Sequence, residues 1–103
     1  MDAFEQTMYW LLAGSKGASN RLKIIEALHA KPQNLNELSA KVNLNYKTVQ
    51  HHVDLLVESN LLVKQGSRYG QVYFLSEQLS QKWDLFKKLS GQSNVRGQTA
   101  DEQ

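Results

Sequence analysis

The sequence contains no cysteine, a single proline and no long apolar run. Without cysteine the chain can form no disulfide and offers no thiolate ligands for a zinc-finger type of site. The longest nearly apolar stretch, Met8 to Ala13, is far shorter than the roughly 20 residues of a membrane-spanning helix. The N-terminus also lacks the basic segment of a signal peptide. We therefore expect a cytoplasmic protein with no membrane partner.

Charge is unevenly distributed along the chain, although the formal net charge is only +2. Residues 1–15 sum to −2, residues 16–75 to +4 and residues 76–103 to 0. The length of 103 residues fits one domain. An excess of positive charge in the middle of that domain suits contact with nucleic-acid phosphates, so we place a DNA-binding unit there.

The spacing of apolar residues predicts a mainly α-helical fold with a small β-hairpin. Helical periods occupy 3–14, 19–30, 35–42, 46–59 and 76–89, and alternating periods occupy 61–65 and 71–75. Helix, helix, helix-turn-helix, hairpin and helix in this order form a winged helix-turn-helix with flanking N- and C-terminal helices. We expect this domain over residues 1–89. Residues 90–103 have few hydrophobic side chains and are predicted to be a disordered tail.

Polar residues mark the predicted helix boundaries. Ser19 or Asn20 can cap the second helix, and Pro32 ends it. Asn34, followed three residues later by Glu37, resembles a capping box at the start of the third helix. Residues 43–45 form a tight turn, since asparagine tolerates a positive φ and also caps helices.

Helix 46–59 has the two faces that a recognition helix requires, one apolar and one polar. Seven residues on its outer face and on the wing (64–71) are predicted to contact DNA: Tyr46, Lys47, Thr48, Gln50, His51, Lys64 and Arg68. Gln50 can pair with adenine through two hydrogen bonds, and Lys47 can reach guanine or phosphate. Arg68, at the hairpin tip, suits the backbone or the minor groove. The same side chains also fit an ordinary solvated helix face and an exposed turn.

Further basic side chains offer weaker phosphate contacts. Lys16, Arg21 and Lys41 lie in the basic central segment but outside the recognition helix and the wing. Each is a candidate for the DNA backbone only, because phosphate contacts carry no base preference.

Several stretches resemble ArsR-type winged-helix regulators. Residues 19–28 resemble the opening S/T-x-R-L-x-I-L-x-x-L, and residues 35–39 resemble the ELA helix. Residues 48–56 resemble T-V-S-x-H-L-x-x-L, and residues 60–62 resemble the A/N-G-L-V that enters the wing. The variant at 45–49 is similar to archaeal members. The resemblance implies a homodimer held by the first and last helices, with two recognition helices facing one operator.

The departure from this family concerns sensing. ArsR-type metal sensors bind their ion through cysteines, and this chain has none. His51 and His52 are adjacent and so point to different helix faces. By the family pattern, His52 is a half-buried histidine that packs and hydrogen-bonds. We expect no metal and no cofactor.

The terminal helices contain more large apolar residues than one chain needs for its own core. We predict that a twofold homodimer buries the surplus. The residues predicted for this interface are Phe4, Met8, Leu11, Leu12, Leu79, Trp83 and Phe86. The alternative is that both helices simply cover the monomer's core.

Other functions are weighed against DNA binding. An enzyme is not expected, because the sequence has no spaced nucleophile–base pair, no glycine-rich phosphate loop and no metal cluster. A protein–protein interaction module or a non-specific architectural DNA binder stays open, since fold does not fix function. RNA binding would call for aromatic platforms that stack bases, and none is evident.

Overall fold

Six α-helices and a two-stranded hairpin form residues 1–91, the part of the chain that the computed structural model describes. In chain order the elements are α1 (Ala3–Tyr9), α2 (Ala18–Ala30), α3 (Leu35–Val42), α4 (Tyr46–Glu58), β1 (Leu62–Gln65), β2 (Val72–Leu75), α5 (Glu77–Gln81) and α6 (Trp83–Leu89). This order confirms the predicted winged helix-turn-helix with flanking terminal helices. From residue 92 onward, the tail predicted over 90–103 lies outside the described residues.

One hydrophobic core joins the terminal helices to the helix-turn-helix. Its largest fully buried side chains include Met8, Leu12, Ile24, Ile25, Leu28, Leu38, Val49, Leu56, Leu61, Leu62, Leu79 and Phe86. They come from every helix and from β1, so each element buries its apolar stripe against the others. Complete burial of such a side chain contributes about 1.5–3 kcal/mol to the free energy of unfolding. Packing in this shared core therefore fixes the position of α4 relative to the hairpin.

The hairpin is tied to the segment that precedes α3. β1 and β2 pair antiparallel, with Leu62 opposite Leu75 and Gln65 opposite Val72. An isolated bridge adds Gln33 to the outer side of β2, where the Tyr73 N–H donates to the Gln33 carbonyl over 3.1 Å. A backbone hydrogen bond thus joins the wing to the segment just before α3, which limits their relative motion.

The first helix differs from the continuous helix predicted over 3–14. It is α-helical to Tyr9 and then widens into a π-helical turn over Trp10–Gly14. Side chains bind carbonyls of this turn: Arg21 Nε donates to the Leu11 carbonyl over 2.7 Å and Ser15 Oγ donates to the Trp10 carbonyl over 2.7 Å. Periodicity cannot reveal such a widening, because its partners lie elsewhere in the sequence.

The last helix is interrupted at Lys82, which separates α5 from α6, whereas the sequence predicted one helix over 76–89. The Lys82 ammonium donates to Glu5 Oε2 over 2.8 Å and lies 3.6 Å from Asp2 Oδ2. The hydrogen bond to Glu5 is the main reason why the pKa of Lys82 is raised. This contact joins the break to the start of α1, and nothing in the local spacing indicated it.

Candidate nucleic-acid interface

The turn between α3 and α4 sets the direction of the recognition helix. Asn43 ends α3 in the left-handed conformation, with φ 58°. Asn45 Oδ1 then accepts hydrogen bonds from the N–H groups of Lys47, over 2.8 Å, and Thr48, over 3.4 Å. Both roles predicted for these asparagines are confirmed. The cap fixes the residue at which α4 begins, and so fixes which side chains it presents.

The two predicted faces of α4 are present. The buried face carries Val49, His52, Val53 and Leu56. On the other side, the first two turns expose five polar or aromatic side chains: Tyr46, Lys47, Thr48, Gln50 and His51. All five face solvent at the N-terminal half of the helix, the half that enters a major groove in proteins of this motif.

The wing presents its basic residues at and below the tip. Lys64 and Arg68 are both exposed, and the Arg68 guanidinium lies 5.5 Å from the Tyr69 ring centroid, a cation–π distance. Gly66 has φ +107°, and a Cβ there would lie 2.3 Å from the Gly70 carbonyl oxygen. A side chain at Gly66 would therefore clash with backbone, which explains why glycine forms this narrow end of the hairpin.

Arg21, a weak phosphate candidate by sequence, is not available to DNA. It is 3% exposed, and its guanidinium faces inward. Besides the Leu11 carbonyl, it donates to Ser15 Oγ over 2.7 Å and to the Lys16 carbonyl over 3.1 Å. Its position three and four residues before Ile24 and Ile25 is on the buried stripe of α2. That spacing was the signal that could have identified it as buried.

The inward guanidinium also contacts the recognition helix. Arg21 Nη1 lies 3.3 Å from Nδ1 of His52, a residue that is 8% exposed. Because arginine can only donate, Nδ1 must be the unprotonated nitrogen of a neutral ring. The expectation of a packed, hydrogen-bonded His52 is therefore met. Through this pair, the π-helical turn and α4 share one hydrogen-bond network.

Gly17 packs directly against the Arg21–His52 pair. It is also the N-cap of α2, in place of the predicted Ser19 or Asn20. The N-cap is Gly17, with φ +89°, while Ser19 and Asn20 lie within the helix. A Cβ at Gly17 would lie 2.8 Å from His52 Cε1 and 3.1 Å from Arg21 Nη1. The left-handed backbone and this close approach both require glycine, so the prediction of a polar N-cap was wrong.

The protonation state of His52 makes the free energy of unfolding depend on pH. Burial, then the charges of Arg21 and His51, lowers the pKa of His52 below its ordinary value of 6.5. As pH falls, the unfolded chain therefore binds this proton first. The stabilising effect of a neutral His52 is complete above pH 6.5. It is lost as the pH falls from 6.5 through the lower pKa that His52 has in the folded protein. We expect the unfolding temperature to fall less steeply between about pH 7.5 and about pH 5 in His52→Gln than in wild type.

The matched control for this measurement is His29→Gln. His29 is an exposed histidine outside the network, where its ring stacks on Trp83 at 4.0 Å. Thermal unfolding of wild type and both variants at each pH separates the two histidines. Equal flattening in the two variants would contradict a specific effect of His52.

The side chains predicted for the dimer interface are mostly part of the chain's own core. Five of the seven are at most 4% exposed and cannot reach a partner: Met8, Leu11, Leu12, Leu79 and Phe86. Phe4 and Trp83 are half-buried, and Trp83 stacks on Phe86 at 4.3 Å. The residue assignment is corrected accordingly. On the first helix the exposed aromatics are Tyr9, at 40%, and Trp10, at 63%.

The described residues show neither a grouped set of metal ligands nor a membrane-spanning helix. In residues 1–91, no three histidine, aspartate or glutamate side chains are grouped so that they could hold a metal ion. Within the same residues, no helix is long and apolar enough to span a bilayer.

Comparison with known proteins finds one family model that matches the central segment. Residues 18–64 match the model for bacterial regulatory proteins of the ArsR family. These residues run from the first residue of α2 to the third residue of β1, so the match covers the helix-turn-helix and the entry to the wing. A search of curated proteins finds none that matches the sequence.

Solved structures share the fold at low sequence identity. A homodimeric winged helix-turn-helix DNA-binding domain of a possible ArsR-family transcriptional regulator from Mycobacterium bovis has a TM-score of 0.66 and 14% identity, covering 93% of this chain and 86% of that one. A MarR family transcriptional regulator from Silicibacter pomeroyi has a TM-score of 0.58 and 20% identity, covering 90% and 67%. A Listeria innocua protein of unknown function has a TM-score of 0.65 and 17% identity, covering 85% and 66%.

The chain thus spans about two thirds of the length of the Listeria and Silicibacter proteins. At these identities the solved structures establish the fold alone. Residues 18–64 thus match the family model of ArsR-type bacterial regulatory proteins, and the described part of the chain has a winged helix-turn-helix fold like that of the Mycobacterium bovis domain.

Proposed function

We propose that this protein is a transcription regulator that binds double-stranded DNA sequence-specifically as a homodimer. The first two turns of α4 occupy the major groove, and the wing (64–71) lies on the backbone or in the minor groove. One observation carries the proposal: the capped N-terminal half of α4 exposes five side chains able to contact DNA, while its other face is locked into the core. An apolar outer face would instead have favoured a protein partner.

The homodimer is supported by exposed aromatics on the first helix and by a relative. Tyr9 and Trp10 remain accessible after the core is complete, and exposed clusters of this kind often mark interfaces. The similar domain from Mycobacterium bovis is homodimeric. A twofold dimer would present two recognition helices to one palindromic site.

Selection of duplexes from a randomised library at near-physiological salt tests the function. Enrichment of two inverted half-sites, about 10 base pairs apart or a multiple of that, supports a dimeric, sequence-specific binder. Weak binding without enrichment, with a steep dependence on salt, would indicate a non-specific architectural protein. Failure to bind any duplex would favour a protein partner.

Gln50 is expected to read a base. Gln50→Ala should weaken binding to the selected duplex by about 1–3 kcal/mol and relax the preference at one base pair per half-site, because a bidentate amide–adenine pair is lost. Binding constants for the selected duplex and its single-position variants measure both effects. Gln78→Ala, at an exposed glutamine on α5, is the control. If Gln50→Ala left the preference unchanged at every position, Gln50 would have no role in base recognition.

A further inference from the structure

A cleft of about 180 Å³ lies between the start of α3, the first residue of α4 and the wing. Its walls and floor are formed by Asn34, Leu35, Asn36, Tyr46, Arg68, Tyr69, Gly70, Gln71 and Tyr73. Within residues 1–91, Arg68 is the sole lining residue with a charged side chain. The cleft therefore has a positive and otherwise neutral, polar lining at the junction of the two predicted DNA-contacting elements.

The start of α3 leaves two backbone donors at this cleft. A helix has four N–H groups without intrahelical partners at its N-terminus. The capping box satisfies two of them, since Glu37 N–H donates to Asn34 Oδ1 over 2.8 Å and Asn34 N–H donates to Glu37 Oε1 over 3.0 Å. The two that remain belong to Leu35 and Asn36, and both residues line the cleft. Such paired amides at a helix start favour an anion.

Tyr73 adds an unpartnered donor at this cleft. It is 4% exposed, it lines the cleft, and its hydroxyl bonds no described residue, yet the hydroxyl oxygen is not fully buried, so it can be reached from the cleft. Burial, followed by the charges of Asp54 and Tyr46, raises the pKa of Tyr73. The hydroxyl thus stays protonated and available to donate.

We propose that this cleft holds one phosphate group of the DNA backbone, bound by the Tyr73 hydroxyl, the Arg68 guanidinium and the amides of Leu35 and Asn36. The inference rests on the proposed function. A nucleic-acid strand separates the major groove from the minor groove. A protein with α4 in one groove and its wing at the other must therefore accommodate the intervening backbone, and the cleft lies between those two elements. The bond from Tyr73 N–H to Gln33 keeps the floor in place before DNA arrives.

The test combines Tyr73→Phe with duplexes that carry one neutral methylphosphonate in place of a phosphate. The duplex is the one enriched by selection, and the substitution is moved along each strand of a half-site. Wild type should lose about tenfold in affinity or more at one position, the value of a hydrogen bond to a charged group. Tyr73→Phe should bind the unmodified duplex more weakly by a similar factor and should lose much less at that same position. Methylphosphonates elsewhere should affect both proteins equally.

The other outcomes each contradict the proposal in a distinct way. If wild type binds the duplex but no position distinguishes it from Tyr73→Phe, the phosphate site is wrong while the proposed function stands. If inorganic phosphate at constant ionic strength shifts the Tyr73 signals in an NMR spectrum but no duplex position couples to Tyr73, a free anion is the ligand instead. If wild type binds no duplex, both proposals fail. Tyr73→Phe should unfold at the wild-type temperature, because it removes a hydroxyl that bonds no described residue.

Discussion

Arg21→Met is expected to lower the free energy of unfolding by about 3–5 kcal/mol, because it leaves the buried Leu11 carbonyl and two partly buried acceptors without their donor. The guanidinium serves the carbonyls of Leu11 and Lys16 and the hydroxyl of Ser15. Methionine fills similar volume but donates no hydrogen bond, so each acceptor keeps its desolvation cost. The total free energy of unfolding of a domain of this size is about 5–15 kcal/mol. Urea unfolding followed by circular dichroism measures the loss.

The control is Lys23→Met, which removes the same charge from the exposed side of α2. It should change the unfolding free energy by no more than about 0.5 kcal/mol. Arg21→Lys separates charge from geometry, since lysine keeps the charge but cannot reproduce the planar fork of donors. It should recover only part of the loss. Equal stability of Arg21→Met and Lys23→Met would show that the network contributes nothing.

The architecture could be predicted from the sequence because it depends on local patterns. The 3.6-residue period gave the central helices, the shift to alternation gave the hairpin, and Asn34 with Glu37 marked the start of α3. Each of these signals lies within one element. The π-helical turn and the break at Lys82 depend instead on partners far along the chain, and spacing within a helix does not indicate such partners.

The candidate site also has features that local sequence patterns predict and features that depend on distant parts of the chain. Exposure of the first turns of α4 follows from helix geometry once Asn45 is recognised as the cap. The cleft floored by Tyr73 was missed, since it is assembled from α3, α4 and the wing, and alternation in β2 shows only that Tyr73 points inward. The interface prediction failed for a related reason: apolar content shows that a side chain is buried, but not whether its own chain or a partner buries it.

Replacement of both Tyr9 and Trp10 by serine is expected to convert the proposed homodimer to a monomer. The two rings are the exposed aromatics of the first helix and its π-helical extension, and their loss removes apolar area that only a partner would cover. Loss of the dimer should abolish the advantage of an inverted repeat over a single half-site. Two linked recognition helices bind about 10²–10⁴ times more tightly than one, because the second contact forms within the complex. Sedimentation equilibrium and titration with both duplexes measure these effects.

Tyr69→Ser separates a surface effect from an interface effect. Tyr69 is 90% exposed on the wing, so its replacement removes a large ring without touching the terminal helices. This variant should keep the mass of two chains. Association stabilises the folded state by mass action. At high protein concentration the double variant should therefore unfold at a lower temperature than wild type, unless dimerisation adds little to stability. A wild-type mass of one chain at micromolar concentration would rule out the dimer. A double variant that stayed dimeric would move the interface to another face, with the half-buried Phe4 and Trp83 as the next residues to replace.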